Sequence, residues 1–129
     1  MIVLDASAAV ELLLRTPHAV RTRERLQSGE TPHAPHLLDI EVAQALRRLS
    51  RTGGLSPERA AEALADLAQI PVRRHPHTRL LVRIWELRHN LTAYDAAYVA
   101  LAEELGASLL TCDKALASSS GHSASVELV

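Results

Sequence analysis

Apolar residues along this chain follow two rhythms. Short runs such as "IVL" at 2–4 and "LL" at 109–110 lead to an aspartate, Asp5 immediately and Asp113 after Thr111 and Cys112. Between them, apolar positions recur every three or four residues, the spacing of one helix face. Residues 2–4 therefore predict a short buried strand, and "SAAVELLLR" from Ser7 predicts a helix that Pro17 interrupts. "AVRTRERLQSGE" predicts a second helix closing at Gly29, a residue suited to a helix C-terminus. "TPHAPH" reads as loop or a very short strand around Ala34. Over 38–51, Ile40, Val42, Ala45, Leu46 and Leu49 mark a helix that "TGG" at 52–54 halts. Ser56 as N-cap with Pro57 at the first helical position begins another, reaching about Gln69, and the two form a helical hairpin.

"IPVRRH" is the next strand, centred near Val72, followed by a helix over 76–89 carrying Leu80, Leu81, Ile84, Trp85 and Leu87. In "LTAYDAAYVALAEELG", Thr92 and Asp95 match a capping box and Gly106 closes the helix. "SLLTCD" repeats the opening device of strand then aspartate, "KALASSSGHSAS" predicts a short helix and a flexible loop, and "VELV" a final strand. Strands alternating with helices indicate an α/β fold built on a mainly parallel sheet, in which every strand-to-helix junction lies on one edge. Ligands of such sheets bind beyond the carboxyl ends of the strands, where Asp5 and Asp113 both fall.

At 129 residues the chain forms one domain spanning 1–129, long enough for a core and too short for two. With no Phe, one Trp and two Tyr, the core must come from Leu, Ala, Val and Ile, and a base-stacking surface for single strands is excluded. The net charge of −1 hides a division: setting aside Asp5, Glu41, Asp95 and Asp113, the remaining charges balance at +3, a modestly basic surface around an acidic hole. The single Cys112 forms no internal disulfide and reads as a small buried side chain. Asp5 and Glu11 inside the first apolar stretch argue against a signal peptide, and no run is long enough to span a membrane, so a cytoplasmic location is expected.

Taken singly, the four acids have structural explanations. Asp5 and Asp113 precede helices as caps, Asp95 suits a capping box, and Glu41 falls in the first turn of the third long helix, where a carboxylate complements the dipole. Taken together, all lie at strand C-termini or helix N-termini, which this topology gathers along one edge. Four carboxylates so placed repel one another unless a cation compensates, and an all-oxygen set suits Mg²⁺ or Mn²⁺. Ser7 and Thr111 stand close in sequence to Asp5 and Asp113 and can orient a carboxylate or a bound water.

"MIVLDASAAVELLL", "EVAQALRRLSRTGGLS" and "LTAYDAAYVALAEELGASLLTCDKAL" together resemble a PIN domain, and more narrowly the VapC toxins of bacterial toxin–antitoxin pairs, over nearly the whole chain. The resemblance implies a three-layer sandwich with helices on both faces of the sheet. It puts Asp5, Glu41, Asp95 and Asp113 at the positions of the family's acidic quartet, and Ser7 and Thr111 at its hydroxyl positions. It also implies a metal-dependent endoribonuclease using one or two Mg²⁺ or Mn²⁺ ions, held by those four acids, with RNA as substrate. A VapB-like antitoxin lying across the helical hairpin, a homodimer, and a toxin–antitoxin hetero-oligomer are the implied partners. Arg47, Arg48, Arg51 and Lys114 are the basic residues expected to grip the phosphate backbone.

Other readings have less to stand on. The seven histidines, "HPH" at 75–77 included, lack the paired spacing of a zinc site. A phosphoacceptor receiver domain needs adjacent acids after the first strand, and a haloacid-dehalogenase-type phosphatase needs a second Asp where this chain has Ser7. The rival that remains is a catalytically idle partner-binding module, in which the acids only cap helices; DNA as the target is a further alternative.

Overall fold

The computed structural model describes all 129 residues. Five strands, β1 (Ile2–Leu4), β2 (Pro32–Pro35), β3 (Arg73–His75), β4 (Ser108–Thr111) and β5 (Ser125–Leu128), form one sheet in the order β3-β2-β1-β4-β5, every neighbouring pair parallel. Seven helices connect them: α1 (Ala6–Leu14), α2 (Val20–Gln27), α3 (Leu37–Arg51), α4 (Pro57–Leu67), α5 (Leu81–Glu86), α6 (Ala93–Leu105) and α7 (Lys114–Ala117). β1 is central, and Ile2, Val3 and Leu4 are wholly buried. That is why its sequence is an unbroken apolar run: a strand covered on both faces has no polar side to alternate with.

From β1 the chain moves outward through β2 to β3, then returns past β1 to β4 and β5. Right-handed crossovers put the connections of these two excursions on opposite faces of the sheet. The packing agrees, since α1 touches α2, α3 and α4, while α6 backs onto α5 and lies across β1, β2 and β4. The result is the three-layer, parallel sandwich that the sequence resemblance implies.

Local signals set most of the boundaries. Ser56 Oγ accepts the Arg59 N–H at 3.1 Å to start α4, and Gly106, at φ +61°, closes α6. Three expectations need correction. The segment over 76–89 is not one helix: a 3₁₀ turn (Thr78–Leu80) precedes the short α5, and residues 87–90 form a turn. Leu80, Ile84 and Leu87 keep the buried face, whereas Leu81 is 51% and Trp85 67% exposed, with the Arg88 guanidinium 4.8 Å above the Trp85 ring. Periodicity records the face of such a segment but not its local winding. β3 starts at Arg73, with Val72 buried just ahead of it. Ile40 lies outside the α3 face that buries Leu38, Val42 and Leu46.

Candidate active site

The direction of winding reverses between β1 and β4, so a crevice opens at their carboxyl ends. Asp5 stands there with extended backbone, its N–H donated to the Leu110 carbonyl at 3.2 Å. Its side chain is only 5% exposed and is held at both oxygens. Oδ1 accepts from the Ala8 N–H at 3.0 Å and the Ser7 hydroxyl at 2.7 Å, and Oδ2 from the Thr111 hydroxyl at 2.7 Å. The hydroxyls are themselves tied to the opposite strand end: Ser7 Oγ accepts from Cys112 N–H at 2.9 Å and Thr111 Oγ1 from Asp113 N–H at 3.0 Å. Ser7 Oγ and Thr111 Oγ1 are also 3.3 Å apart. Each hydroxyl has one proton and spends it on Asp5, so that approach is a contact and not a further bond. Ser7 and Thr111 thus lock the first acid and join the start of α1 to the end of β4.

The other acids are less constrained. Asp113 caps α7 through Oδ1, which accepts from Ala115 N–H at 2.8 Å and Leu116 N–H at 3.4 Å, leaving Oδ2 without a protein partner. The capping box at α6 is only half made. Thr92 Oγ1 accepts the Asp95 N–H at 3.2 Å, but no return bond from the Thr92 N–H to the Asp95 carboxylate forms. Glu41 lies in the second turn of α3, not the first; the first-turn acid is Asp39, which forks onto Arg74 with two bonds of 2.8 Å. The dipole explanation therefore belongs to Asp39. No well-formed hydrogen bond reaches Glu41, and its Oε1 is buried without a partner.

Asp5, Glu41, Asp95 and Asp113 line one cavity of about 360 Å³, together with Ser7, Glu11, Arg48 and Tyr98. Burial pushes the Asp5 carboxyl up, against the pull of the Ala8 N–H and the two hydroxyls, and Asp113 adds to the rise. Burial likewise raises Glu41, where Tyr98 opposes the shift and Asp95 and Asp5 reinforce it. Asp95 is raised by burial, then by Asp113 and Asp5. These are carboxylates that sense one another's charge. They share a cavity without forming a ready-made cage: as the side chains lie, no three of them stand close enough to hold a metal ion together. This corrects the expectation of tight convergence. Asp5 and Asp113 are held in place by their own hydrogen bonds. The unpartnered oxygens on Glu41, Asp95 and Asp113 form the all-oxygen donor set that hard divalent cations take.

Two residues of the cavity escaped the sequence reading. Glu11 sits one turn beyond Ser7 on α1, and Tyr98 one turn beyond Asp95 on α6. Helical spacing from an acid or hydroxyl already singled out was the signal for both. Of the four basic residues expected at the rim, only Arg48 lines the cavity. Its neighbour Arg47 points about 100° away around α3, into a groove of about 230 Å³ against α4, and Arg51 and Lys114 are exposed outside the cavity. The Cys112 thiol is pushed up to about 11 by burial and by Glu11 and Asp5, which removes it as a nucleophile.

Residues 2–120 match the family model described as PIN domain. Ribonuclease VapC12 of Mycobacterium tuberculosis is 47% identical over 129 residues, covering 100% of this chain and 99% of the relative. Among solved structures, VapC20 of M. tuberculosis, described as a Sarcin-Ricin loop cleaving toxin, superposes with a TM-score of 0.65 at 21% identity, covering 91% of this chain and 93% of the other. VapBC2 of Rickettsia felis, solved bound to a DNA fragment from their promoter, gives a TM-score of 0.71 at 14% identity, covering 100% and 99%. At those identities the two structures bear on the fold alone.

Proposed function

This chain belongs to the PIN-domain family and, within it, to the VapC ribonucleases; from that premise we propose that it is the toxin of a toxin–antitoxin pair and hydrolyses RNA phosphodiester bonds with Mg²⁺ or Mn²⁺ as cofactor. The observation that carries the reading is the meeting of four acids, distant in sequence, on the wall of one cavity, three of them with raised pKa values. The metal assignment is supported by the chemistry of the donors. All are oxygens, and Asp113 Oδ2 has no protein partner.

A bound divalent ion supplies acidity to water and offsets the charge that grows on the phosphoryl oxygens. The protein's share follows from its own bonds. Asp5 would be the rigid ligand, since Ser7, Ala8 and Thr111 fix both its oxygens and leave one lone pair, on Oδ2, uncommitted. Asp95 and Asp113 each present free carboxylate oxygen. Glu41, with its raised pKa, is suited to align an attacking water and take its proton at the carboxylate oxygen that faces the cavity. Arg48, the cavity's only cationic side chain, holds the scissile phosphate against the acidic wall. Water attack in this arrangement leaves a 5′-phosphate.

The groove between α3 and α4, lined by Ala43, Leu46, Pro57, Ala60, Ala61 and Leu64, suits the apolar face of a VapB-like antitoxin helix. Ile40 and Leu64, 70% and 45% exposed on the same hairpin, extend that surface. A homodimer and a hetero-oligomer with the antitoxin belong to the same proposal. No helix is long and apolar enough to cross a membrane.

Asp5→Asn and Asp95→Asn test the reading. Asn and Asp cap helices almost equally well, so an idle binding module keeps wild-type behaviour at Asp5, whereas the nuclease loses cleavage in both variants and stays folded. RNA and single-stranded DNA are offered in parallel with Mn²⁺ or with EDTA. Cleavage of RNA that needs Mn²⁺ and both acids is the expected result; cleavage that survives EDTA, or that both variants retain, overturns it.

A further inference from the structure

Five buried side-chain polar atoms lack a hydrogen-bond partner, and two of them, Glu41 Oε1 and Tyr98 Oη, lie on the wall of the acidic cavity. Tyr98 is 1% exposed and belongs to the face of α6 that packs Ala97 and Leu101 into the core. A phenol so deeply buried normally donates to something. An ionised Glu is purely an acceptor, and a tyrosine hydroxyl is a donor with a single proton, so each of these groups is what the other lacks. Each also lies near enough to act on the other: Tyr98 as a hydrogen-bonding neighbour draws Glu41 down against its burial, and Glu41, by proximity and charge, adds to the upward push on the phenol.

We propose that Tyr98 is the positioning residue for Glu41: its buried hydroxyl donates to one oxygen of the Glu41 carboxylate and thereby turns the other oxygen into the cavity. The pairing resembles the treatment of Asp5, whose oxygens are fixed by Ser7 and Thr111. In each case a hydroxyl with no other use for its proton decides which lone pairs of an acid remain free. Tyr98 reaches no reacting atom itself. The inference deepens the nuclease reading, since it concerns how an acid of that site is aimed. Its structural part, the bond from Tyr98 to Glu41, stands without a metal.

The test uses the whole protein with tyrosines labelled at ¹³Cζ, which gives two signals, separated by Tyr94→Phe. In the metal-free protein the Tyr98 signal moves on Glu41→Gln, because a carboxylate acceptor has been replaced by an amide. Tyr98→Phe then weakens Mn²⁺ binding, followed by calorimetry, about tenfold, and adds nothing further in the Glu41→Gln background. A Tyr98 signal indifferent to Glu41→Gln overturns the proposal, as does Tyr98→Phe that lowers the melting temperature while Mn²⁺ affinity stays at the wild-type value. Wild-type protein that takes up no Mn²⁺ sinks the metal reading instead, and the ¹³C measurement still decides the bond.

Discussion

Thr111→Val separates the hydroxyl lock on Asp5 from the packing around it. Thr111 is fully buried, and its Oγ1 donates to Asp5 Oδ2 at 2.7 Å while accepting the Asp113 N–H at 3.0 Å. Valine keeps the branched shape and removes both interactions. A hydrogen bond to a charged acceptor contributes about 1.5–3 kcal/mol, and the orphaned Asp113 N–H, partly reachable by water, adds about 1 kcal/mol of loss. The extra buried methyl returns about 0.8 kcal/mol. The net is a destabilisation of about 2 kcal/mol at neutral pH, or roughly 8 °C in melting temperature for a domain of this size. Urea unfolding with an unchanged m-value is the assay, and Thr111→Ser, which keeps the hydroxyl, is the control. The sign of the pH dependence follows from the charge on Asp5. The hydroxyl stabilises the ionised form, so removing it raises a folded-state pKa that burial has already raised. The gap between variant and wild type is therefore full above that raised pKa and shrinks as pH falls through it. A loss below about 0.5 kcal/mol, or one that does not vary with pH, refutes the argument that Thr111 acts through the Asp5 charge.

Two further outcomes are expected. Arg48→Ala raises KM for RNA about tenfold, the worth of one charged phosphate contact, whereas Arg47→Ala, facing the α3–α4 groove, leaves KM unchanged and weakens antitoxin binding in a pull-down; equal effects of the two on KM would show the assignment of faces to be wrong. At the β2–β3 edge, His33 Nδ1 lies 2.8 Å from His75 Nε2, and Arg79 approaches His75 Nδ1 at 3.1 Å, so both rings are neutral. Burial first, then His75 and Arg73 at His33 and Arg79 and Arg73 at His75, pull both histidines below their usual value. The unfolded chain thus binds more protons than the folded one below about pH 6.5, and this pair makes stability fall as pH drops from there. Urea midpoints at pH 7.5, 6.5 and 5.5 fall more steeply for wild type than for His75→Gln, the acids' contribution being common to both; parallel lines contradict the account.

Much of this was readable in the chain, for reasons that are local. Ser56–Pro57, Thr92 with Gly106, and the apolar runs ending at Asp5 and Asp113 each specify a junction within a few residues, and a parallel α/β sheet then dictates that such junctions share an edge. Where two elements meet, the sequence is silent. Arg47 and Arg48 are adjacent in the chain and equally basic, yet only the packing of α3 against α1 and α4 sends one to the cavity and the other to the groove. The half-made capping box is a similar case, because the motif at Thr92 and Asp95 does not say that the acid's oxygens stay free. His33 and His75 come together only through strand pairing between β2 and β3. Glu11 and Tyr98 were within reach, one helical turn from residues already singled out.

The acidic wall is assembled from the first strand's end, the third helix, the sixth helix and the fourth strand's end, points that only the finished sheet brings side by side. A chain still emerging from the ribosome, or a fragment parted from the rest by a cut between α4 and α6, carries some of these carboxylates but not the set. Whatever harm the pocket can do to a cell is thus withheld until folding is complete.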